Sequence, residues 1–256
     1  MFKNFRVFIA VIFIAAFLLS CRHVYRIEKV ETNVLSIDSV TVVKEDTTIL
    51  RMIKPFREKM ELEMNEVLAY TEEAMLKDKP EGILNNFVAD LVLVEANENY
   101  KSPDGNKIDF CILNNGGLRT SLPKGAITRG KIYELMPFDN NMVVITLTGE
   151  KIIQMFNFIA KAGGVPVSGF SMGIKDTAAV NISLNGKEFD KTKNYKVVTS
   201  DYLANGGDKM HFFDDPVKSE NMEIKIRDAI ISYVTKENIK GNKLKSELDK
   251  RVYYEK

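Results

Sequence analysis

Apolar residues recur every three or four positions in several long stretches of the chain, which is the spacing of amphipathic helices. The helices predicted from this spacing cover residues 49–64, most of 79–99, 149–162 and 222–238. Thr128 is suited to cap a shorter helix that ends near Met136. Pro55 is expected near the start of its helix or at a kink. The basic tail after residue 238 is predicted to be a solvated surface helix.

Shorter apolar runs and alternating segments between these helices predict β-strands. The predicted strands cover residues 40–43, 67–70, 108–113, 142–148, 169–175, 180–184 and 195–199. Asn185-Gly186 suits the two-residue turn of a hairpin. Helices and strands follow one another without a regular βαβ repeat. The sequence therefore predicts an α+β fold, a single domain of mixed β-sheet packed with helices.

The N-terminal residues have the pattern of a secretory signal. Lys3 and Arg6 precede residues 7–19, which carry no charge and are too few to cross a bilayer as a helix of about 20 residues. This run ends in LLSC, which looks like a bacterial lipobox whose cysteine, Cys21, is lipidated and becomes the mature N-terminus. An ordinary signal peptide or a membrane anchor with an incidental cysteine is the alternative.

Lipidation at Cys21 would define the parts of the chain and its location in the cell. The predicted parts are a signal peptide at 1–20, a tether at 21–48 and a folded domain at 49–256. Arg22 follows the cysteine instead of Asp, so retention at an inner membrane is not signalled in the best-known way. We expect a lipid-anchored, extracytoplasmic location in a bacterial cell envelope, at the outer membrane if the host has one.

Charge and composition exclude several kinds of function. The chain has 36 basic and 35 acidic residues and a net charge of +1, so binding of a nucleic acid polymer through a broad basic face is not expected. The two histidines are His23 and His211, and the cysteines are Cys21 and Cys111, which is too few for a soft metal site. We therefore predict no catalytic residue and no metal ligand in this chain, and a buried, unpaired thiol at Cys111.

Three loops that follow apolar segments carry glycine, amide, charged and aromatic residues. They are LNNGGLR at 113–119, MPFDNN at 136–141 and SDYLANGGDKM at 200–210. Their glycines allow positive φ angles and a close approach of the backbone to a ligand. Turns need glycine too, so the loops by themselves do not decide between a structural and a binding role.

The side chains of these loops suit a nucleotide-like ligand. Phe138 and Tyr202 are able to hold a flat ring between them, and such stacking is worth about 1–3 kcal/mol per base. Asp208 accepts hydrogen bonds from sugar hydroxyls, while Asn114 and Arg119 offer directed donors to an anion. Each residue also has an ordinary structural explanation as a core anchor, a turn or a solvated arginine. The residues alone therefore predict a small-molecule pocket.

The order and spacing of four strings resemble a known family. NNGGLR, PFDN, LTG and SDYLANGGD are similar to NGGGIR, PF.N, LTG and FLA.GGDG in the C-terminal, substrate-binding domain of bacterial and animal 5'-nucleotidases and UDP-sugar hydrolases. The similarity extends from about residue 50 to 240 and implies an α+β fold. It also implies that Phe138 and Tyr202 clamp the base and that Asp208 binds ribose. The substrate-binding positions implied are Asn114, Arg119, Phe138, Asn140, Tyr202 and Asp208.

The resemblance also implies a reaction and a partner. In the family, a metal-activated water attacks a phosphate ester, and a separate N-terminal metallophosphoesterase domain supplies two metals. A lipobox directly before the C-terminal-type domain leads us to expect no cofactor in this chain and divalent metals on a separate metallophosphoesterase subunit. The first hypothesis is thus the nucleotide-recognising half of a split 5'-nucleotidase. The others are a non-catalytic nucleoside- or nucleotide-binding lipoprotein for uptake or sensing, and an interaction protein with a degenerate pocket.

The sequence departs from the family pattern at several positions. Asn115 replaces a glycine, Tyr202 replaces the usual Phe, and Lys209 replaces the last glycine. Where the family carries a further substrate-binding arginine, the matching stretch offers only Lys77 or Lys79. A lysine keeps the charge but loses the bidentate geometry of a guanidinium.

Overall fold

The structure, a computed structural model, describes residues 26–32, 34, 46–184 and 186–256. Residues 51–256 form one compact unit. The predicted signal peptide, Cys21, the strand predicted at 40–43 and Asn185 lie outside the described residues. Within the described ranges, no helix is both long and apolar enough to cross a membrane.

The observed helices and strands follow the predicted order with a few changes. The α-helices are α1 (Thr47–Met64), α2 (Ile83–Asn99), α3 (Arg129–Leu135), α4 (Gly149–Ala162), α5 (Asp201–Ala204) and α6 (Ile226–Ile239). The strands are β1 (Val67–Thr71), β2 (Phe110–Ile112), β3 (Gly125–Thr128), β4 (Asn141–Thr148), β5 (Val167–Ser168), β6 (Ser171–Lys175), β7 (Ala178–Leu184), β8 (Lys187–Glu188), β9 (Asn194–Ser200), β10 (Lys218–Lys225) and β11 (Val252–Tyr254).

A mixed five-stranded sheet with the order β10-β4-β9-β2-β5 lies at the centre of the unit. Strands β2 and β9 run parallel, and the other neighbours are antiparallel. Strands β1 and β3 pair separately, and β11-β6-β7-β8 form a further sheet. This arrangement confirms the α+β fold predicted from the sequence.

Each face of the central sheet packs against its own hydrophobic cluster. Along β4, Met142 and Val144 enter one cluster, while Val143 and Ile145 enter the other, as the period of two in a strand requires. Helices α2 and α6 contribute to the first cluster, and α4 and strand β6 contribute to the second. Cys111 lies in the first cluster, as predicted, and burial raises the pKa of its thiol.

The ends of the helices follow local capping rules. The Thr128 side chain accepts a hydrogen bond from the Lys131 backbone N–H at 3.2 Å, which confirms the predicted cap of α3. Helix α4 ends at Gly163, whose φ of 68° is the left-handed conformation that favours glycine. Pro55 lies inside α1 and not near its start, so it removes one donor from the helical hydrogen bonds.

The prediction of a helix from residue 222 was wrong at its start. Residues 218–225 form strand β10 at the edge of the central sheet, and Ser219 pairs with Ile145. Met222 and Ile224 are partly buried and pack on the first cluster two residues apart, so their spacing fits a strand. The helical pattern begins only at Ile226.

The predicted surface helix in the tail was also wrong, because the chain returns to the protein there. Strand β11 pairs in parallel with β6, and Val252 is buried. The Arg251 guanidinium donates hydrogen bonds to both carboxylate oxygens of Asp90, at 2.6 and 3.0 Å, and to Asp249 at 2.7 Å. These contacts fix the tail to helix α2.

Replacing Arg251 with methionine tests whether this ion pair holds the tail. We expect Arg251→Met to lower the free energy of unfolding by about 2 kcal/mol, less than the 3–5 kcal/mol typical of a fully buried pair because Asp90 is half exposed. Urea denaturation measures the change. Arg129→Met removes the more exposed Arg129–Glu66 pair and serves as the control, with an expected loss under about 1 kcal/mol. Equal losses in the two variants would contradict the assignment.

Candidate functional site

The three loops singled out in the sequence meet at one edge of the central sheet, the edge formed by the C-terminal ends of β2 and β9. Strands β2 and β9 are parallel, so both end at this edge and continue into the loops at 113–119 and 200–210. Strand β4 is antiparallel to β9, with Met142 opposite Ser200, so the loop at 136–141 leads into the sheet at the same edge. The sheet topology therefore brings the three loops together.

The loops enclose a cavity of about 490 Å³, within the range of about 300–1,000 Å³ usual for small-molecule sites. All six substrate-binding positions predicted from the sequence line it. The lining residues are Leu113, Asn114, Gly116, Gly117, Arg119, Met136, Phe138, Asn140, Ser200, Tyr202, Asp208 and Ile226. Apolar walls, two aromatic rings and a few polar groups thus share one concave surface.

Phe138 and Tyr202 stay exposed although they are large aromatic residues. Their exposed fractions are 41% and 49%, whereas core rings such as Phe110 and Phe156 are almost fully buried. A Cβ atom on Gly207 would lie 2.5 Å from the Tyr202 ring, so only glycine allows the backbone to pass this close to it. Two accessible rings in a single cavity provide surfaces for stacking a planar ligand.

Asp208 lies at the centre of a small hydrogen-bond network. Its Oδ2 atom accepts a hydrogen bond from Asn114 Nδ2 at 2.7 Å, and its Oδ1 atom accepts one from the Tyr202 hydroxyl at 2.9 Å. The Asp208 backbone is left-handed, with a φ of 51°, and Lys209 follows with a φ of 62°. A carboxylate has about four acceptor positions, so two remain for hydroxyl groups of a ligand. The network orients the carboxylate before a ligand arrives.

The Asn140 side chain connects two of the loops. Its Nδ2 atom donates to Asp201 Oδ1 at 2.8 Å, and the same oxygen accepts a hydrogen bond from the Tyr202 backbone N–H at 2.7 Å. The Phe138 loop and the Tyr202 segment are joined through this carboxylate. The resemblance implies that Asn140 contacts substrate, and the geometry adds a role in holding the two ring-bearing segments at a fixed separation.

Arg119 presents its guanidinium at the mouth of the cavity. The side chain is exposed and donates one hydrogen bond, from Nη1 to the Gly116 carbonyl at 3.3 Å. Its backbone N–H donates to the Leu135 carbonyl at 2.9 Å, which fixes the loop. A guanidinium carries five N–H donors, so most of them face solvent, where they suit an anionic group such as phosphate.

Some of the residues that depart from the family pattern make local hydrogen bonds. Asn115, in place of glycine, accepts a hydrogen bond from Asn85 Nδ2 at 2.8 Å and donates to the Gly164 carbonyl at 3.0 Å, so it fixes the glycine loop to its neighbours. Lys77 and Lys79 donate to the backbone carbonyls of Leu118 and Ala162, respectively. Neither lysine lines the cavity.

Sequence reasoning missed two side chains that organise the cavity. Asp201 stands beside Tyr202 in the string SDYLANGGD, and the N-cap position of Ser200 before it marks the start of a short helix. Arg227 contacts the Phe138 loop from helix α6. Because the loop and the helix lie about 90 residues apart and Arg227 belongs to no motif, the sequence contains no signal for this contact.

The cavity does not suit the two-metal centre of the family's reaction. Its lining contains one carboxylate, Asp208, and no imidazole or thiol, whereas divalent metals need several oxygen or nitrogen ligands. Across the described ranges, no three His, Cys, Asp or Glu side chains are grouped closely enough to hold a metal ion.

Comparisons with known proteins agree with the fold. The profile of the family "5'-nucleotidase, C-terminal domain" matches residues 66–215. A 5'-nucleotidase of Vibrio vulnificus is 26% identical over 172 residues, which is 65% of this chain and 30% of that protein. The trifunctional nucleotide phosphoesterase YfkN of Bacillus subtilis is 28% identical over 253 residues, 90% of this chain and 16% of that protein.

Solved structures agree in fold. A 5'-nucleotidase precursor from Thermus thermophilus aligns with a TM-score of 0.68 at 22% identity over 82% of this chain and 43% of that one. The NAD nucleotidase of Haemophilus influenzae aligns with a TM-score of 0.60 at 16% identity over 85% and 43%. The chain spans about a third of the length of the first curated relatives. Because the family profile covers more than half of the chain, the protein belongs to the family of 5'-nucleotidase C-terminal domains.

Proposed function

We propose that this chain is the nucleotide-recognising half of a split 5'-nucleotidase, in which a separate metallophosphoesterase chain carries the divalent metals. The reaction is hydrolysis of the phosphate ester of extracytoplasmic nucleotides. The observation that carries the proposal is the single cavity in which two exposed aromatic rings, an oriented carboxylate and an exposed guanidinium lie together. The rings suit the base of a nucleotide, the carboxylate suits the sugar hydroxyls, and the guanidinium suits the phosphate.

Each part of a nucleotide has a partner in the cavity. The rings of Phe138 and Tyr202 stack on the base, and such stacking is worth about 1–3 kcal/mol. Asp208, fixed by Asn114, accepts hydrogen bonds from the sugar hydroxyls, and Arg119 binds phosphate through parallel N–H groups. Metals on the partner chain would supply the activated water, while the residues of this chain bind and orient the substrate.

The names of the relatives support a nucleotide as the ligand. The curated relatives include 5'-nucleotidases and a nucleotide phosphoesterase. The residues that line the cavity suit a nucleotide, and their single carboxylate does not suit a metal centre, so the metals of the reaction would come from outside this cavity, in this proposal from a separate chain. The alternative function is a nucleotide-binding lipoprotein for uptake or sensing. Nucleotide binding without any support of hydrolysis would favour it.

The proposed location follows from the sequence of the N-terminus. Lipidation of Cys21 would anchor the chain on the extracytoplasmic side of the bacterial envelope, at an outer membrane where one exists. Mass spectrometry of the protein purified from membranes tests this, because a diacylglycerol adduct is expected on Cys21 and is lost in Cys21→Ser. An unmodified Cys21 in the mature chain would contradict the anchor.

Removing one ring of the clamp tests nucleotide binding. We expect AMP or adenosine to bind the wild-type chain, and Phe138→Ala to lower the affinity about tenfold or more, because stacking on that ring is lost. Isothermal titration calorimetry with adenosine, AMP and UDP-glucose measures this. Tyr70→Ala is the control, since Tyr70 is a similarly exposed aromatic residue, 47% accessible, that does not line the cavity. Wild-type protein that binds none of the three ligands would refute the proposal.

Mixing the two chains tests the split enzyme. Metallophosphoesterases copurified from native membranes, assayed with Mn²⁺ or Mg²⁺ and AMP, should hydrolyse AMP several-fold faster when this chain is added. Addition of the Phe138→Ala variant should give little or no increase, because substrate orientation depends on the clamp. If the wild-type chain gives no increase although it binds AMP, the split enzyme is excluded and the binding-protein alternative stands.

A further inference from the structure

A buried arginine lies directly behind the Phe138 wall of the cavity. Arg227 is the second residue of helix α6, and its side chain is only 8% exposed. Arginine is almost never buried unless its charge is paired and its donors are satisfied. The Nε atom of Arg227 is buried without a hydrogen-bond partner among the described residues, so the contacts of its two Nη atoms indicate what the guanidinium stabilises.

Nearly all of these contacts are made to one short segment. Nη1 donates hydrogen bonds to the carbonyls of Met136 and Phe138, each at 3.4 Å, and Nη2 donates to the carboxylate of Asp139. The guanidinium carbon lies 4.3 Å from the centre of the Tyr133 ring, within the range of a cation–π interaction. Arg227 thus holds the end of helix α3 and the loop that carries the Phe138 ring.

The two residues before Arg227, Lys225 and Ile226, also contact this loop. The Ile226 backbone N–H donates to the Asn140 carbonyl at 3.0 Å, and Lys225 Nζ lies 3.1 Å from Asp139 Oδ2. Hydrogen bonds from Lys225 and then from Arg227 keep the pKa of Asp139 below its usual range. The start of helix α6 therefore contacts alternate carbonyls of the loop, at 136, 138 and 140, and the carboxylate between them.

We propose that Arg227 is a positioning residue for nucleotide binding: it fixes the backbone of Phe138 so that the ring keeps its place in the cavity that Tyr202 also lines. The proposal rests on the proposed function, because the ring is assigned to base stacking there. Arg227 does not line the cavity, so it acts through the loop and not on the ligand. A planar fork reaches two carbonyls and a carboxylate at once, which a lysine ammonium on a flexible stem does less well.

A purely structural role is the competing explanation, and it predicts a different result. Loss of a structural arginine would lower the stability of the whole domain and leave the local order of Phe138 unchanged in the folded protein. A positioning role predicts that the ring becomes more mobile in a protein that remains folded, and that ligand affinity falls through this ring.

The absence of tryptophan from the chain makes a direct test possible. Phe138→Trp introduces a single indole at the cavity, whose time-resolved fluorescence anisotropy reports the motion of that side chain without any ligand. We expect Arg227→Met in this background to lower the residual anisotropy to about half, and Arg227→Lys to lower it less. Arg129→Met is the matched control, because Arg129 is also paired with a carboxylate but lies away from the cavity lining. It should leave the anisotropy unchanged.

Affinity provides the second readout. In the native Phe138 background, Arg227→Met should weaken AMP binding about tenfold, and Arg129→Met should leave it unchanged. Thermal melts identify folded samples. If Arg227→Met does not fold, Asp139→Asn replaces it, since Asp139 is exposed and its loss removes the charge partner of Arg227 from the same loop. Asp139→Asn is then expected to lower the anisotropy and the affinity in the same direction but less.

The outcomes separate this proposal from the proposed function. Unchanged anisotropy and unchanged AMP affinity in a folded Arg227 or Asp139 variant would overturn the positioning role. Lower stability with unchanged anisotropy would also overturn it and assign Arg227 a structural role. If the wild-type chain binds no nucleotide, the proposed function fails, whereas the anisotropy measurement still decides whether Arg227 orders the Phe138 ring.

Discussion

The cavity depends on the position of strand β9. This strand is hydrogen-bonded to β2 on one side and to β4 on the other. Because β2 runs parallel to β9 and β4 runs antiparallel to it, two strand ends and one strand start coincide at a single edge. Segments at 113–119, 136–141 and 200–210 are separated in the chain, and this pairing brings them to the same edge. The two hydrophobic clusters on the faces of the sheet hold these strands in register.

Hydrogen bonds within and between the loops then fix the side chains that the sheet topology brings together. Asp201 accepts hydrogen bonds from both Asn140 and the Tyr202 backbone, and Asp208 accepts from Asn114 and the Tyr202 hydroxyl. Every polar bond in this set crosses between loops or braces one of the aromatic residues. The network belongs to the protein alone, so its cost in conformational entropy is met during folding and not during ligand binding.

The sequence predicts the parts of this structure that are governed by local rules. Thr128 caps the start of one helix and Gly163 the end of another where capping preferences require, and the six predicted substrate-binding residues of the three loops all line the cavity. The failures occur where a distant partner decides the conformation. Met222 and Ile224 join a strand because the edge of β4 is available, and Arg251 returns the tail to Asp90 on helix α2. Arg227 belongs to the same class, since its role depends on a loop about 90 residues away.

The exposure of Phe138 and Tyr202 has a thermodynamic consequence. Both rings present apolar surface to water when the cavity is empty, and a planar ligand would remove that surface from water. Burial of apolar surface lowers the heat capacity of the complex relative to the free components. The enthalpy of association must then become more favourable as temperature rises, while the entropy becomes less favourable. The steepness with which the enthalpy of binding changes with temperature therefore reports how completely the two rings are covered.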